Sequence, residues 1–132
     1  MIDNTTDWTK LREFRGVSLT SSFVLSWEVD GCTLLVDLDL CLSREHPFYD
    51  QPRPSQKGCI RAALLEFPDC TAVLPGVAQA GHGVLGEAVR TLGAGSISGF
   101  RRSGEGRYEL KGGFGTVEIL SGRPMLRFKD IT

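Results

Sequence analysis

The stretch "SFVLSWEVDGCTLLVDLDLCL", Ser22–Leu42, decides the fold class. Two runs that alternate apolar and polar residues flank Asp30-Gly31. An Asp-Gly pair in that setting is the strongest short-range signal for a β-hairpin, because both residues accept the left-handed backbone that a tight type I′ turn demands. A two-residue turn there pairs Val29 with Cys32, Trp27 with Leu34, Leu25 with Val36 and Phe23 with Leu38, and sets all eight side chains on one face. The other face carries Val24, Ser26, Glu28, Leu35, Asp37 and Asp39. A slip of one residue would scramble this sorting, so the pattern specifies its register.

The same alternation extends outward. "CIRAALLEF" (59–67) reads as a third strand, with Ile60, Ala62 and Leu64 on one side and Arg61, Ala63, Leu65 and Phe67 on the other. "CTAVL" (70–74) reads as a short fourth. The last third, "RYELKGGFGTVEILSGRPMLRF" (107–128), reads as a three-stranded meander with turns at Gly112-Gly113 and Ser121-Gly122. That register pairs Tyr108 with Val117, Val117 with Leu126 and Ile119 with Pro124, and sets Arg107 across from Glu118 as a favourable ion pair. "SISGFRR" (96–102) is the strand before it, and a Ser103-Gly104-Glu105 loop brings Phe100 beside Tyr108. Two short helices complete the reading. One follows Asp7, whose carboxylate can cap the free amides of a first turn, and stops at Gly16. The other covers 84–92, where Leu85, Ala88, Val89 and Leu92 recur at helical spacing before Gly93. Two apolar sheet faces need each other, so the expected architecture is mostly β: an antiparallel β-sandwich or partly open barrel of about seven strands with two short helices. It occupies residues 1–132 as a single β-rich domain.

The bulk numbers agree with a globular domain. The chain has 132 residues, 41% hydrophobic and 23% charged, which is long enough to bury a core without staples. A net charge of −1 provides no overall field toward nucleic acid or an anionic membrane. The N-terminus, "MIDNTTDWTKLREF", lacks the basic and apolar regions of a signal peptide, and no apolar run approaches the roughly 20 residues of a membrane helix. Cys32, Cys41, Cys59 and Cys70 form no C-x-x-C pair and match no zinc spacing, so they read as thiols of a cytoplasmic protein.

"GHGVLG" (81–86) has the spacing of a dinucleotide-binding turn. Such a turn works when a buried strand delivers the chain to its first glycine and a helix N-terminus then meets the pyrophosphate. Here "LPGVAQA" precedes it and the flanking β-runs are hairpins, so it reads as a glycine-rich connection. His82, between two of its glycines, has nothing beside it in sequence to orient it. No cofactor is expected.

Two site candidates remain. Asp37 and Asp39 alternate on one strand face, about 6.5–7 Å apart. With Glu45 and His46 from the adjoining loop they offer oxygen ligands and an imidazole to a divalent ion, the basis of a metal-dependent hydrolase or metal-binding protein. The loop itself, "SREHPFYDQPRPSQKG" (43–58), is longer than structureless connections usually run, and such loops are often functional. His46, Phe48, Tyr49 and Arg53 sit on it among prolines, and aromatics on a stiffened loop suit protein recognition because little entropy is lost on binding. The opposing reading folds Phe48 and Tyr49 back as a plug on the core. Arg101, Arg102 and Arg107 gather near one hairpin, with Arg123 and Arg127 further along, but the acidic outward face at Asp37 and Asp39 repels phosphate, so no nucleic acid is expected. The first functional expectation is a non-enzymatic protein-interaction module that binds a partner protein or a second copy of itself through the 43–58 loop and nearby strand edges. The alternatives are the metal-dependent hydrolase and a carrier of a small apolar ligand between the sheets.

Overall fold

The alternating runs become strands because each buries one row of side chains and leaves the next in water. A computed structural model describes residues 6–49, 51, 58–74 and 92–129. Within them lie β1 (Thr6–Asp7), β2 (Val17–Asp30), β3 (Thr33–Leu42), β4 (Cys59–Phe67), β5 (Ala72–Leu74), β6 (Gly95–Gly104), β7 (Arg107–Gly112), β8 (Gly115–Leu120) and β9 (Met125–Phe128). Every pairing is antiparallel, along the path β5-β8-β7-β6-β2-β3-β4-β9, with β1 beside β6. The protein is therefore mostly antiparallel β, an open sheet folded on itself in the manner of a sandwich or open barrel.

The sheet bends at β6, whose first residues pair with β2 (Phe23↔Ser96, Val24↔Gly95) and whose remainder pairs with β7. We call β2-β3-β4-β9 the first half and β6-β7-β8-β5 the second. Between them packs one core that includes Leu19, Leu34, Leu38, Leu40, Leu65 and Phe67 from the first half and Ile97, Phe100, Leu110, Val117 and Ile119 from the second. Aromatic contacts cross the gap. Phe67 lies 6.1 Å from Phe100 and 5.9 Å from Tyr108, and Trp27 meets Phe114 edge-on at 5.4 Å. The Trp27 indole N–H, buried with the ring, donates to the Gly93 carbonyl at 2.8 Å, which removes the cost of an unpaired donor.

The expected strand at 59–67 forms with those bounds, and its inward row is Ala63, Leu65 and Phe67. The first hairpin differs from expectation in two ways. Its turn is Gly31-Cys32, so Val29 faces Leu34 and Trp27 faces Val36. Gly31 has φ +61, and neither Asp30 nor Cys32 has positive φ. A left-handed residue at the first central position only is the requirement of a type II′ turn, and a Gly-x pair meets it as well as Asp-Gly meets type I′. Cys32 is accordingly exposed in the turn, not part of the core face.

The second difference lies further along β2, where the ladder breaks between Ser18 and Phe23 and again between Val24 and Ser26. The extra residue Leu25 reverses the alternation, as a β-bulge does. Val24 is fully buried, while Phe23 and Leu25, expected inside, are 41% and 43% exposed. At the first break the Ser22 hydroxyl accepts from the Cys41 N–H at 2.9 Å and donates to the Ser18 carbonyl at 2.9 Å. A side chain thus replaces the missing ladder bond, which explains a serine only 2% exposed.

In the last third, the turn at Gly113-Phe114 pairs Tyr108 with Ile119 and Leu110 with Val117. The inward row survives because the shift is by an even number of residues. Phe100 does meet Tyr108, stacked at 5.9 Å and 7°. The third strand of the expected meander leaves, however. β9 pairs with β4, and β5 takes the free edge of β8. Buried Pro124 has no N–H to offer a ladder, and Gly122 donates instead to the Pro68 carbonyl at 2.7 Å. At the N-terminal end, the expected helix is two single 3-10 turns, Trp8–Lys10 and Arg12–Phe14; Asp7 caps the first by accepting from the Thr9 N–H. The helix expected over 84–92, the glycine motif at 81–86 and His82 lie outside the described residues, apart from Leu92, which packs partly buried against the core.

Candidate functional site

The loop that leaves β3 is shaped by a chain of short turns. Ser43 donates to the Gly16 carbonyl, His46 to Ser43 and Tyr49 to His46, at 2.8, 3.0 and 3.0 Å. Gly16 is required on two counts: its φ is +76, and a Cβ there would stand 2.8 Å from the His46 Cα. The His46 ring then sits 5.1 Å from Phe128 and 5.4 Å from Phe48, and Phe48 meets Phe128 edge-on at 5.2 Å. His46 Nδ1 accepts from the Phe48 N–H at 3.0 Å, so the neutral imidazole carries its proton on Nε2. Burial pushes the His46 pKa below 6.5, in keeping with that neutral form.

The two readings of the loop aromatics therefore divide between them. Tyr49 folds back and packs against the core, whereas Phe48 stays 40% exposed at the β9 side. Arg53 lies outside the described residues.

Asp37 and Asp39 share the outward face of β3, between inward Val36, Leu38 and Leu40. Lys129 reaches Asp37 at 2.7 Å. Arg61 is on the other side of the sheet, since it pairs with Leu40, and cannot neutralise them. Glu45 is exposed on the loop. Among the described residues, no three His, Cys, Asp or Glu side chains come together in a group able to hold a metal ion, so Asp37, Asp39, Glu45 and His46 are not assembled as one site.

What the structure does assemble is an apolar outer face on the first half. The register places Phe23, Asp39 and Ala62 in one row, and Asp37, Leu64 and Arg127 in the next. Leu35, Glu66 and Met125 form a third, and Cys41 with Ile60 a fourth. Phe23 and Leu25 stand out on this half together with Ile60 at 49% and Met125 at 54% exposure. Leu35, Ala62 and Leu64 between them are half-buried.

No family model, curated protein or solved structure matches this chain.

The charges on this face are unevenly satisfied. Arg127 binds Glu66 at 2.7 Å and Lys129 binds Asp37, which neutralises the β9 side. Glu28 and Asp39, on the β2–β3 side, make no ion pair among the described residues. Sequence reasoning missed the patch because Phe23 and Leu25 alternate correctly with an unbulged β2 and so read as core. The small polar residues Ser18, Thr20, Ser21 and Ser22 were the available signal, since serines that can bond backbone groups loosen a ladder.

Proposed function

We propose that this protein is a protein-interaction domain whose docking surface is the outer face of β2-β3-β4-β9, with Phe48 exposed at the side of β9. One observation carries the reading: Phe23, Leu25, Ile60 and Met125, all large and well exposed, belong to the same four strands. Apolar residues scattered singly over a surface need no explanation, but a group on one face marks a binding site. The half-buried Leu35, Ala62 and Leu64 supply apolar ground within the face, interleaved with Asp37, Asp39 and the Glu66–Arg127 pair. The open carboxylates of Glu28 and Asp39 favour a partner that presents apolar side chains flanked by lysine or arginine. Among the described residues, no helix is long and apolar enough to cross a membrane. We place the protein in the cytoplasm on its cysteine usage.

The test is zero-length carboxyl-to-amine cross-linking of the untagged protein in an extract of its own host, with the linked peptides mapped by mass spectrometry. The expected links join Glu28 or Asp39 to lysines of one other protein, and Leu25→Glu with Ile60→Glu removes them while the melting temperature stays within about 3 °C. Links that survive the double variant, or that form only between two copies of this chain, refute the proposed surface or its partner respectively.

A further inference from the structure

A second feature lies away from that face. At the end of the second half, the 11–13 segment, the β6–β7 turn and the stretch after β8 enclose a cleft of about 410 Å³. Leu11, Glu13, Arg102, Gly106, Tyr108 and Arg123 line it. Its size falls within the range of small-molecule sites.

Three hydrogen-bond donors meet there, and two are held in place. The Tyr108 ring is buried at 4% exposure, stacked on Phe100 and packed against Phe67. Its hydroxyl takes part in no hydrogen bond among the described residues and lies in the field of Arg102, Glu13 and Arg123. Burial raises the phenol above its ordinary pKa, so it keeps a proton to donate. Arg123 is fixed by Glu13 at 2.9 Å, and the Glu13 side chain is only 12% exposed. Arg102 has only its Nε engaged, at 3.4 Å from the Gly104 carbonyl, and forms no ion pair among the described residues. Arginine N–H groups and a phenol O–H are donors suited to a carboxylate or phosphate oxygen.

The charge count limits the ligand. Arg123 is paired with Glu13, which leaves Arg102 as the second arginine of the wall, and Glu105 is its second carboxylate. One arginine without an ion pair among the described residues is too little to hold a polyanion such as a nucleic-acid backbone. Leu11 provides an apolar wall for a short hydrocarbon body.

We propose that this cleft binds a small organic oxyanion with one charged head, a carboxylate or a phosphate monoester, through Arg102 and the Tyr108 hydroxyl, with Arg123 beside them. This does not depend on the docking surface.

The experiment is an amide-shift NMR titration of the full chain with sodium benzoate and, separately, inorganic phosphate, at constant ionic strength. Benzoate tests a carboxylate with an apolar body, and phosphate tests the phosphoryl head alone. At least one probe should shift Gly106, Ser121 and Gly122 saturably below about 50 mM, an affinity within reach of a few charge-assisted bonds. Tyr108→Phe, which keeps the packed ring, and Arg102→Gln, at an exposed position, should each weaken that probe by about fivefold or more. Arg101→Gln, on the opposite face and bound to Glu109, should leave it unchanged. Linear shifts with both probes, or a smaller loss in either cleft variant, overturn the proposal.

Discussion

The β2–β3 and β7–β8 hairpins share a plan and differ in what they show the solvent. Both alternate, both turn on two residues that include a glycine, and both give their inner rows to the same core. Outside, β7–β8 is a charge lattice. Glu109 and Glu118 face each other directly, and Arg101, Lys111 and Arg107 surround them at 3.1, 3.3 and 3.9 Å. The expected Arg107–Glu118 pair is thus present, one step diagonal to where it was expected. Outside β2–β3, large apolar groups stand in water. A regular ladder keeps polar residues outward by period alone, whereas a bulge reverses the period and can turn apolar residues out. In this protein the irregular hairpin carries exposed apolar residues and the regular one carries ion pairs.

The sharpest way to break this comparison is at the bulge. Val24→Asp places an unpaired charge in the core and should cost about 4 kcal/mol or more. Leu25→Asp, one residue on, should stay within about 0.5 kcal/mol of wild type. Urea denaturation measures both. Comparable losses, or the reverse order, would mean that β2 runs unbulged and that Phe23 and Leu25 belong to the core.

That pair of neighbours also shows how far the sequence could be read. Period 2 identified the strands and, in β3, β7 and β8, the buried row, because face assignment needs only parity; in β4 it separated the two rows without saying which one is buried. Parity survives a shift of the turn by one residue, since the pairing then moves by two. It does not survive a bulge such as the one at Leu25, because one extra residue reverses the faces on either side of it. Nor does period 2 say which edge a strand will join: β9 alternates as a meander strand would, yet Pro124 and the β5–β8 pairing send it to β4. The exposed patch, the cleft at Tyr108 and the pairing of Asp37 with Lys129 were out of reach for the same reason. Each is made by residues far apart in the chain whose meeting depends on those two events.

Ion pairs give the next contrast. Arg127→Met strips the counter-charge from Glu66, which is 9% exposed, and should cost about 1–2 kcal/mol, because a carboxylate with little access to water has lost its partner. Arg107→Met on the regular hairpin should cost under about 0.5 kcal/mol, since that pair is exposed and loosely held. Equal losses would show that the two outer faces are equally solvated, contrary to the half-buried character of the first.

The turns should differ by a smaller amount. Gly31→Ala forces an L-residue to a positive φ and should cost about 1 kcal/mol. Gly113→Ala, where φ is not positive and the nearest backbone is at an ordinary 3.5 Å, should be close to neutral. An equal penalty at both sites would mean that the second hairpin also uses a left-handed central residue.

The smallest effect expected is in the charge lattice itself. Burial works to raise the Glu109 pKa, but hydrogen bonds from Arg101 and Lys111 outweigh it and hold the carboxyl below its ordinary 4.5. The folded state therefore favours the ionised form more than the unfolded state does. This stabilisation is fully present above about pH 4.5 and is lost as the pH falls through the lower folded value. The melting temperature should drop more steeply over that window in wild type than in Glu109→Gln, and added salt should narrow the gap because the pairs are solvent-facing. A wild-type acid slope no steeper than that of Glu109→Gln would show that the charge lattice contributes no acid-sensitive stability.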